Sequence, residues 1–579
     1  MDMDMKKIFA AAAAAILLLS SCDSWLEEKN YGSFTTEEMM ANEENVILLV
    51  GQAYADVKWV HDHWGYWGVA SLTSDECLCP IRTPGDHWAD GNYWRNLNTH
   101  NWDPLSTAFR NIWNTTISGA VLCNKLLGTL EDGKANMNEA MYKQYVAELE
   151  VLRSYYYYLL FDCFGRVPYI EEFVTKTEPL MEPSKVWSKL VDCLERNAPN
   201  MPVVNDANRA SNYGRVTQGF AYALLARLYL NAPSFDCTPS NISLTNEFTT
   251  AISSETDFYT NAVRCCDAII NAGSYSIEDN FFNNFKIKNE GSKENIFVIV
   301  EDGRSSVDVR ENGSMMNKLR VNLLTLHYCH QNTYGMIEKP WNGFCARPTF
   351  LKRYAASDVR GPGNEGKGTA NTKQWGWFVG PIYDAAGKSQ QMDENHNPAI
   401  ITAEVTDLGG ATWNDGARLF KYEVDKDGAY RYCENDFVLL RYADVLWMRE
   451  EAILRGASGN SLLESSADFQ KLMARSFAYD ADPAAAYKAA YPKLFTGTTE
   501  EKLQAILDER GREFAWENVR RRDLIRFGKY NDDSYVQYVT GKDEYRKWFP
   551  IPTLVLETSL KDENGNSIWT QNPGYPAGK

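Results

Sequence analysis

Past its first two dozen residues, this 579-residue chain has no apolar stretch long enough to span a bilayer, which takes roughly 20 residues. It also lacks the local signatures of common catalysis. There is no G-x-S-x-G, no H-E-x-x-H and no P-loop lysine motif. An excess of basic charge is missing too. Lys and Arg number 59 against 77 Asp and Glu, a formal charge of −18, whereas phosphate contacts need the opposite balance. That argues against nucleic acid as a partner and against electrostatic docking on an anionic membrane. Cysteine is present at 12 positions, but no spacing among them fits a zinc site. Cys77-Leu-Cys79 is a pair without partner ligands. Cys123, Cys163, Cys193, Cys265 and Cys266 fall within helix-like apolar patterns and read as small buried hydrophobes. One or two disulfides stay open if the chain is exported.

The N-terminus carries the first positive signal. Lys6 and Lys7 precede an apolar run from Ile8 to Leu19, the length of a signal-peptide core and too short for a membrane span. The run ends in Leu19-Ser-Ser-Cys22, which resembles a bacterial lipobox. Residues 1–21 are therefore expected to be a lipoprotein signal peptide, with Cys22 as the lipid attachment site. The acidic stretch Asp23-Ser-Trp-Leu-Glu-Glu-Lys-Asn30 belongs to an acylated tether over 22–35, and 36–579 is expected to form a single domain. Removing the first 21 residues deletes two Lys and two Asp, so the charge stays at −18.

Most of the strong periodicity is helical. Tyr142, Tyr145, Leu149, Leu152, Tyr156, Leu159 and Cys163 recur at three and four, the spacing of one helix face, and Gly165 and Pro168 end the pattern. Val216, Phe220, Ala223, Leu224 and Leu228 make a second face, closed by Pro233. Ala262 to Ile270 makes a third, stopping near Gly273. Tyr442, Val445, Leu446, Ala452 and Ile453 make a fourth, stopping at Gly456, and Leu503, Ile506, Leu507 and Phe514 a fifth. Irregular stretches rich in Gly, Asn, Asp, Pro and aromatics run from about 59 to 104 and from about 274 to 435. Loops that long are functional or disordered, and their aromatic content speaks against disorder. The expected architecture is mainly α, a scaffold of helix pairs carrying a large loop-rich face. The pairs suggest tetratricopeptide-like units, although no clean 34-residue repeat is visible.

Several segments resemble one known family. Ala147-Glu-Leu-Glu-Val-Leu-Arg-Ser-Tyr-Tyr-Tyr-Tyr158 followed by Phe164-Gly-Arg-Val-Pro168 looks like a helix and exit turn of the SusD/RagB lipoproteins, and Gly214 to Leu230 looks like their next helix. Leu440 to Leu446 with Glu450-Glu-Ala452, then Asp508 to Glu513 with Arg521 to Arg526, resemble two further shared blocks. Phe549-Pro-Ile-Pro552 and Gln571-Asn-Pro-Gly-Tyr575 resemble the family's close. With the lipobox, these blocks run in order along nearly the whole chain. The resemblance implies a SusD-like fold with tetratricopeptide-type helix pairs, and ligand capture without catalysis. It implies a lipid-anchored place on the outer face of the outer membrane. The implied partner is a SusC-like TonB-dependent transporter, on which such a protein acts as a hinged lid. The implied cargo is a glycan, with oligopeptide capture on the same scaffold as the alternative. No cofactor is called for, and the resemblance leaves a structural cation open.

Read as residues, the C-terminal run Glu509, Arg510, Arg512, Glu513, Glu517, Arg520, Arg521, Arg522, Asp523, Arg526 is nearly balanced in sign at helical spacing, as an ion-pair network is. Arg441 and Asp444 invite the same account. The signal that rises above scaffold is tryptophan. Six of the 17 Trp, at 59, 64, 67, 88, 94 and 102, fall in one irregular stretch, interleaved with Asp, Asn, His and Arg. A sugar ring offers an apolar C–H face and a rim of hydroxyls, which aromatic rings and polar side chains complement. Most of these Trp are expected to pin the loop to the scaffold. The second aromatic group is Tyr328, Tyr334, Trp341, Asn342, Trp375, Trp377 and Tyr383, where Trp375-Gly-Trp377 suits a platform or a loop anchor equally. The candidate ligand contacts are Asp86, Trp88, Trp94, Arg95, Trp341, Asn342 and Trp375. The pair Asp75-Glu76 raises a third reading, a surface glycosidase, which needs two carboxylates across a cleft. Asp425-Lys-Asp-Gly428 reads as a turn that lacks the completing ligands of a calcium loop.

Overall fold

A computed structural model describes residues 40–173, 178–301, 321–362, 375–393, 395–426, 433–561, 563–565 and 567–576. The expected signal peptide, Cys22 and its tether lie outside the described residues, as does Asp427 of the turn at 425–428.

The helices that organise the molecule are α1 (Tyr66–Leu72), α2 (Tyr93–Asn98), α3 (Thr107–Gly133), α4 (Glu139–Phe164), α5 (Pro183–Asn197), α6 (Gln218–Leu230), α7 (Glu255–Ala272), α8 (Tyr442–Leu454), α9 (Thr499–Glu513) and α10 (Arg520–Arg526). From α3 to α9, each helix of this series packs on the next. Their ends are set locally. Asn138 accepts a hydrogen bond from the Met141 amide at the start of α4, and Gly165, at φ 67°, ends it in a conformation that costs glycine least. Capping boxes open α7 (Ser254 with Asp257) and α9 (Thr498 with Glu501). Gly273, at φ 63°, closes α7.

The five expected helix faces fall in α4, α6, α7, α8 and α9, with three differences, the first being that Val216 precedes α6, whose N-cap is Thr217. Phe514 caps α9 rather than lying within it. The last part of α4, from Val151 to Phe164, is buried all round, including Tyr155, Tyr157, Tyr158 and Leu160 outside the expected stripe. That is what a helix at the centre of a helical layer requires, with α3 on one side and α5 on the other.

The strands are short: β1 (Arg82–Thr83), β2 (Asn295–Ile299), β3 (Gly376–Phe378), β4 (Ala411–Thr412), β5 (Arg418–Phe420) and β6 (Phe437–Arg441). They join in pairs, β1 with β4 in parallel, β2 with β6 and β3 with β5 antiparallel. One main core runs through the helices. A second, smaller core under the loop-rich face gathers Leu326, Tyr328, Phe378, Ile401, Trp413 and Phe420, and Trp341 packs against both.

The C-terminal charge run is a buried network, as its balance and spacing predict. Most of its arginines reach carboxylates far away in sequence, while Arg512 pairs with Glu509 one turn back. Arg520 grips Asp75 with two bonds of 2.6 and 2.8 Å. Arg521 and Arg522 both hold Asp162 of α4, and Arg526 holds Glu451 of α8 at 2.7 and 2.8 Å. Arg510 bridges Asp523 and Asp444, each at 2.7 Å, and Arg227 reaches Asp444 from α6. Glu513 accepts from Arg441, Arg475 and Arg360 at 2.9, 2.6 and 2.8 Å with no exposure of its own. Although burial opposes ionisation, Arg510 and Arg227 hold the Asp444 carboxyl down at about 2. Eleven cysteines fall within the described residues, and none of the disulfides left open by the sequence forms among them.

Candidate functional site

The loop-rich face is built by three segments: the 82–98 loop, the 323–343 segment and the 407–418 turn. β1 and β4 join the first to the third. Immediately after β1 the chain doubles back, Arg82 and His87 exchanging backbone bonds of 2.9 and 3.1 Å around a cis Thr83–Pro84 bond. Gly85, Asp86 and Trp88 all take positive φ, at 102°, 51° and 65°. This tight reversal leaves Asp86 and His87 exposed and Trp88 half-buried.

Trp88 is held from two sides. Its indole Nε1 donates to the Trp341 carbonyl at 2.9 Å. Its ring lies directly over Gly343, where an added Cβ would come within 2.4 Å of the indole. No other residue type leaves room for the ring there. Trp341 is itself half-buried, its amide bonded to the Leu323 carbonyl at 2.7 Å and its ring 6.4 Å from Trp88. Exposed His87 meets Trp413 edge-on at 4.5 Å, and exposed Lys339 sits 4.5 Å over the Tyr328 ring beside it. The result is a surface of aromatic rings with carboxylate, imidazole and ammonium groups at its edge.

Two buried arginines hold this surface together. Arg82 donates to the carbonyls of Thr412, Asp415 and Gly343 at 2.7, 3.0 and 3.0 Å. Arg418 donates to the Trp413 and Gly416 carbonyls and to Asn342 Oδ1 at 2.9, 2.7 and 2.7 Å. Burial, with Arg82 alongside, lowers the Arg418 pKa from its ordinary value. Each guanidinium fork is clamping loop backbone in place of a carboxylate.

The predicted contacts divide. Asp86, Trp88 and Trp341 come together on this surface. Arg95 is exposed beside it, close to the turn at Gly409. Trp94 and Asn342 do not fit as ligand contacts. Trp94 has no exposure, because it packs among His63, Trp64, Trp88 and Phe344 and its Nε1 is taken by Asp90 at 2.6 Å. Asn342 is fully buried at φ 54°, spending its side chain on Arg418 and the Trp413 carbonyl. Trp375 stands apart, half-buried against Phe282 at 4.9 Å on the wall of the main core. Its neighbour Trp377 is buried and bonded to Tyr354, so this pair anchors β3. Of the six clustered Trp, Trp67, Trp94 and Trp102 are buried, while Trp59, Trp64 and Trp88 are half-exposed. Arg82, Arg418, His87, Lys339 and Trp413 are missing from the predicted contacts. Only the aromatic and charged composition around them hints at their role.

Asp75 and Glu76 both lie buried with no exposure. Asp75 is neutralised by Arg520, and Glu76 accepts from the Trp516 amide at 3.0 Å, its carboxyl pushed up to about 8 by burial. Among the described residues, no group of three or more His, Cys, Asp or Glu is arranged to hold a metal ion, and no helix is long and apolar enough to cross a membrane.

Two family descriptions match this chain, the SusD family over residues 293–575 and "starch-binding associating with outer membrane" over 24–230. The chain belongs to the SusD family. As a SusD-family chain it is 23% identical over 539 residues to the starch-binding protein SusD of Bacteroides thetaiotaomicron, covering 87% of this chain and 84% of that one. Its fold matches the surface glycan-binding protein A of Bacteroides fluxus (TM-score 0.66, 20% identity, 92% of this chain and 100% of the other). It also matches the corresponding Bacteroides thetaiotaomicron protein solved with laminarihexaose (TM-score 0.62, 20% identity, 91% and 99%). The mainly α, SusD-like architecture expected from the sequence is thus the observed one.

Proposed function

We propose that this protein captures oligosaccharide or polysaccharide at the outer face of the outer membrane. The observation that carries the reading is the Trp88–Trp341 surface, with half-exposed rings fixed in place and Asp86, His87 and Lys339 around them. Ring faces of this kind cover the apolar side of a pyranose, while charged and polar edge groups take its hydroxyls. Relatives named for starch and glycan binding support the same reading. A preformed surface keeps the ordering cost of binding low, and a shallow one keeps release fast, which suits a protein that hands its cargo onward.

In this account Cys22 carries the lipid anchor, at about 0.8 kcal/mol per buried methylene, so that several acyl chains make attachment permanent. A SusC-like TonB-dependent transporter receives the glycan, and the protein performs no chemistry on it. Burial removes Asp75 and Glu76 from consideration as a glycosidase pair. The test is a transport assay in cells carrying the Trp88→Ala, Trp341→Ala variant. The reading requires glycan uptake to fall while the protein still reaches the cell surface. Uptake at the wild-type rate, or a defect confined to peptides, would move the function elsewhere.

A further inference from the structure

A separate cleft of about 380 Å³ opens beside the ligand surface, between the Trp64–Tyr93 edge of the loop and the first turn of α3. Its volume falls within the range that encloses small ligands. Trp64 and Tyr93 stack with ring centroids 4.6 Å apart and are both half-exposed, and Trp102 forms the buried back wall. Exposed Asp90 and Asp103 stand at the rim. Each spends one oxygen locally, Asp90 on the Trp94 indole and Asp103 on the Leu105 amide. The Tyr93 hydroxyl lies beside Ser106, yet neither hydroxyl completes a well-formed hydrogen bond with the protein, although both oxygens are buried. Ser106 also leaves the start of the 27-residue helix α3 without a side-chain cap. Two carboxylates and two ring edges therefore meet at the mouth of the cleft, above the buried Tyr93 and Ser106 hydroxyls. No Lys or Arg side chain lines the cleft.

From this arrangement we infer that the cleft is a second saccharide site, specific for an uncharged sugar residue. The inference rests on the glycan-capture reading and adds to it a second site and a charge preference. The exposed carboxylates of Asp90 and Asp103 receive the hydroxyl protons of a neutral sugar, and the Trp64 and Tyr93 rings take its C–H face. A uronate or sulfated sugar meets Asp90 and Asp103 with no cation to offset their charge, so anionic glycans are rejected. The cleft is distinct from the Trp88 surface but physically joined to it. Buried Trp94 stands between them, 5.6 Å from Trp88 and 4.5 Å from Trp64, centroid to centroid.

The test uses the mature chain with 5-fluorotryptophan in place of Trp, with ¹⁹F resonances assigned by single Trp→Phe replacements. It is titrated separately with maltotriose, laminaritriose, xylotriose, mannotriose and trigalacturonate. The expected result is a saturable shift of the Trp64 resonance with at least one neutral trisaccharide and none with trigalacturonate. That shift persists in Trp88→Ala. It weakens at least 10-fold in Thr107→Phe, which fills the cleft from an exposed position, and 3-fold or more in Asp103→Asn, which keeps the shape and removes the carboxylate. Trp88 and Trp341 responding while Trp64 stays still overturns the second site and leaves glycan capture standing. A Trp64 shift that disappears in Trp88→Ala also overturns it, because the signal then comes through Trp94. Silence of every resonance with every sugar overturns the site together with the reading on which it rests.

Discussion

Replacing Gly343 by alanine is the most informative single change, because it moves the proposed binding surface while leaving the helical scaffold alone. The new Cβ would lie 2.4 Å from the Trp88 indole. Ordinary carbon contacts begin near 3.5 Å, so the ring must retreat by about 1 Å. That retreat stretches the 2.9 Å bond from Trp88 to the Trp341 carbonyl beyond hydrogen-bonding range. A lost bond of this kind costs about 1 kcal/mol, and overpacking adds roughly 1–3 kcal/mol. A loop bordering the surface absorbs most of this, so the protein stays folded with a modestly lower Tm. The ring meanwhile leaves the position from which the proposed function has it cover a sugar. Glycan affinity is expected to fall at least about 10-fold, or 1.4 kcal/mol. Calorimetric titration measures the affinity, thermal denaturation confirms folding, and near-ultraviolet circular dichroism reports the displaced indole. Wild-type affinity in a folded variant whose indole signal has changed would refute the role given to Trp88.

Three further outcomes follow from the same structure. Glu513→Ala leaves Arg360, Arg441 and Arg475 one buried carboxylate short and should cost at least about 3–5 kcal/mol in urea unfolding, whereas Glu139→Ala, at an exposed pair with Lys143, should change nothing measurable. Glu76 keeps its proton in the folded state up to about pH 8, but the unfolded chain releases it near pH 4.5, so its burial makes stability fall as pH rises between those values and level off above them. Glu76→Gln should remove that slope, up to about 1.4 kcal/mol per pH unit, and parallel stability curves for the two proteins between pH 5 and 8 would show that the carboxyl is ionised in place. Arg418→Lys, which loses the fork that spans Asn342, Trp413 and Gly416, should lower glycan affinity several-fold and cost less stability in urea unfolding than Glu513→Ala, as separate binding and unfolding titrations would register.

The scaffold was legible because helices announce themselves locally. Period-3.6 apolar spacing marked α4 and α6 to α9, and Gly165 and Gly273 sit at positive φ at the ends where the pattern stops. The network role of the C-terminal arginines was also legible, from their balance and spacing. Their partners were not, because Asp75 and Asp162 are hundreds of residues away and only packing brings them close. The candidate binding surface was half legible. Composition located the tryptophan-rich loop, and Asp86, Trp88 and Trp341 do meet on one face. Composition does not say which rings keep an exposed side. Trp94 and Trp102 share the character of Trp88, yet they are buried because other rings close over them. Asn342 looked like a sugar-binding amide and instead holds a turn at positive φ. Arg82 and Arg418 carry no local pattern at all, since their partners are backbone carbonyls brought together by the β1–β4 pairing.

The most direct test of the central claim is a calorimetric titration of soluble protein beginning at Ser24 with a panel of polysaccharides, host-type glycans and mixed peptides, run in parallel on Trp88→Ala. The account predicts saturable binding to one glycan class in the unaltered protein and its loss in the variant, a truncation worth about 2 kcal/mol or more. Binding to peptides alone, to nothing in the panel, or equally well by both proteins would contradict it.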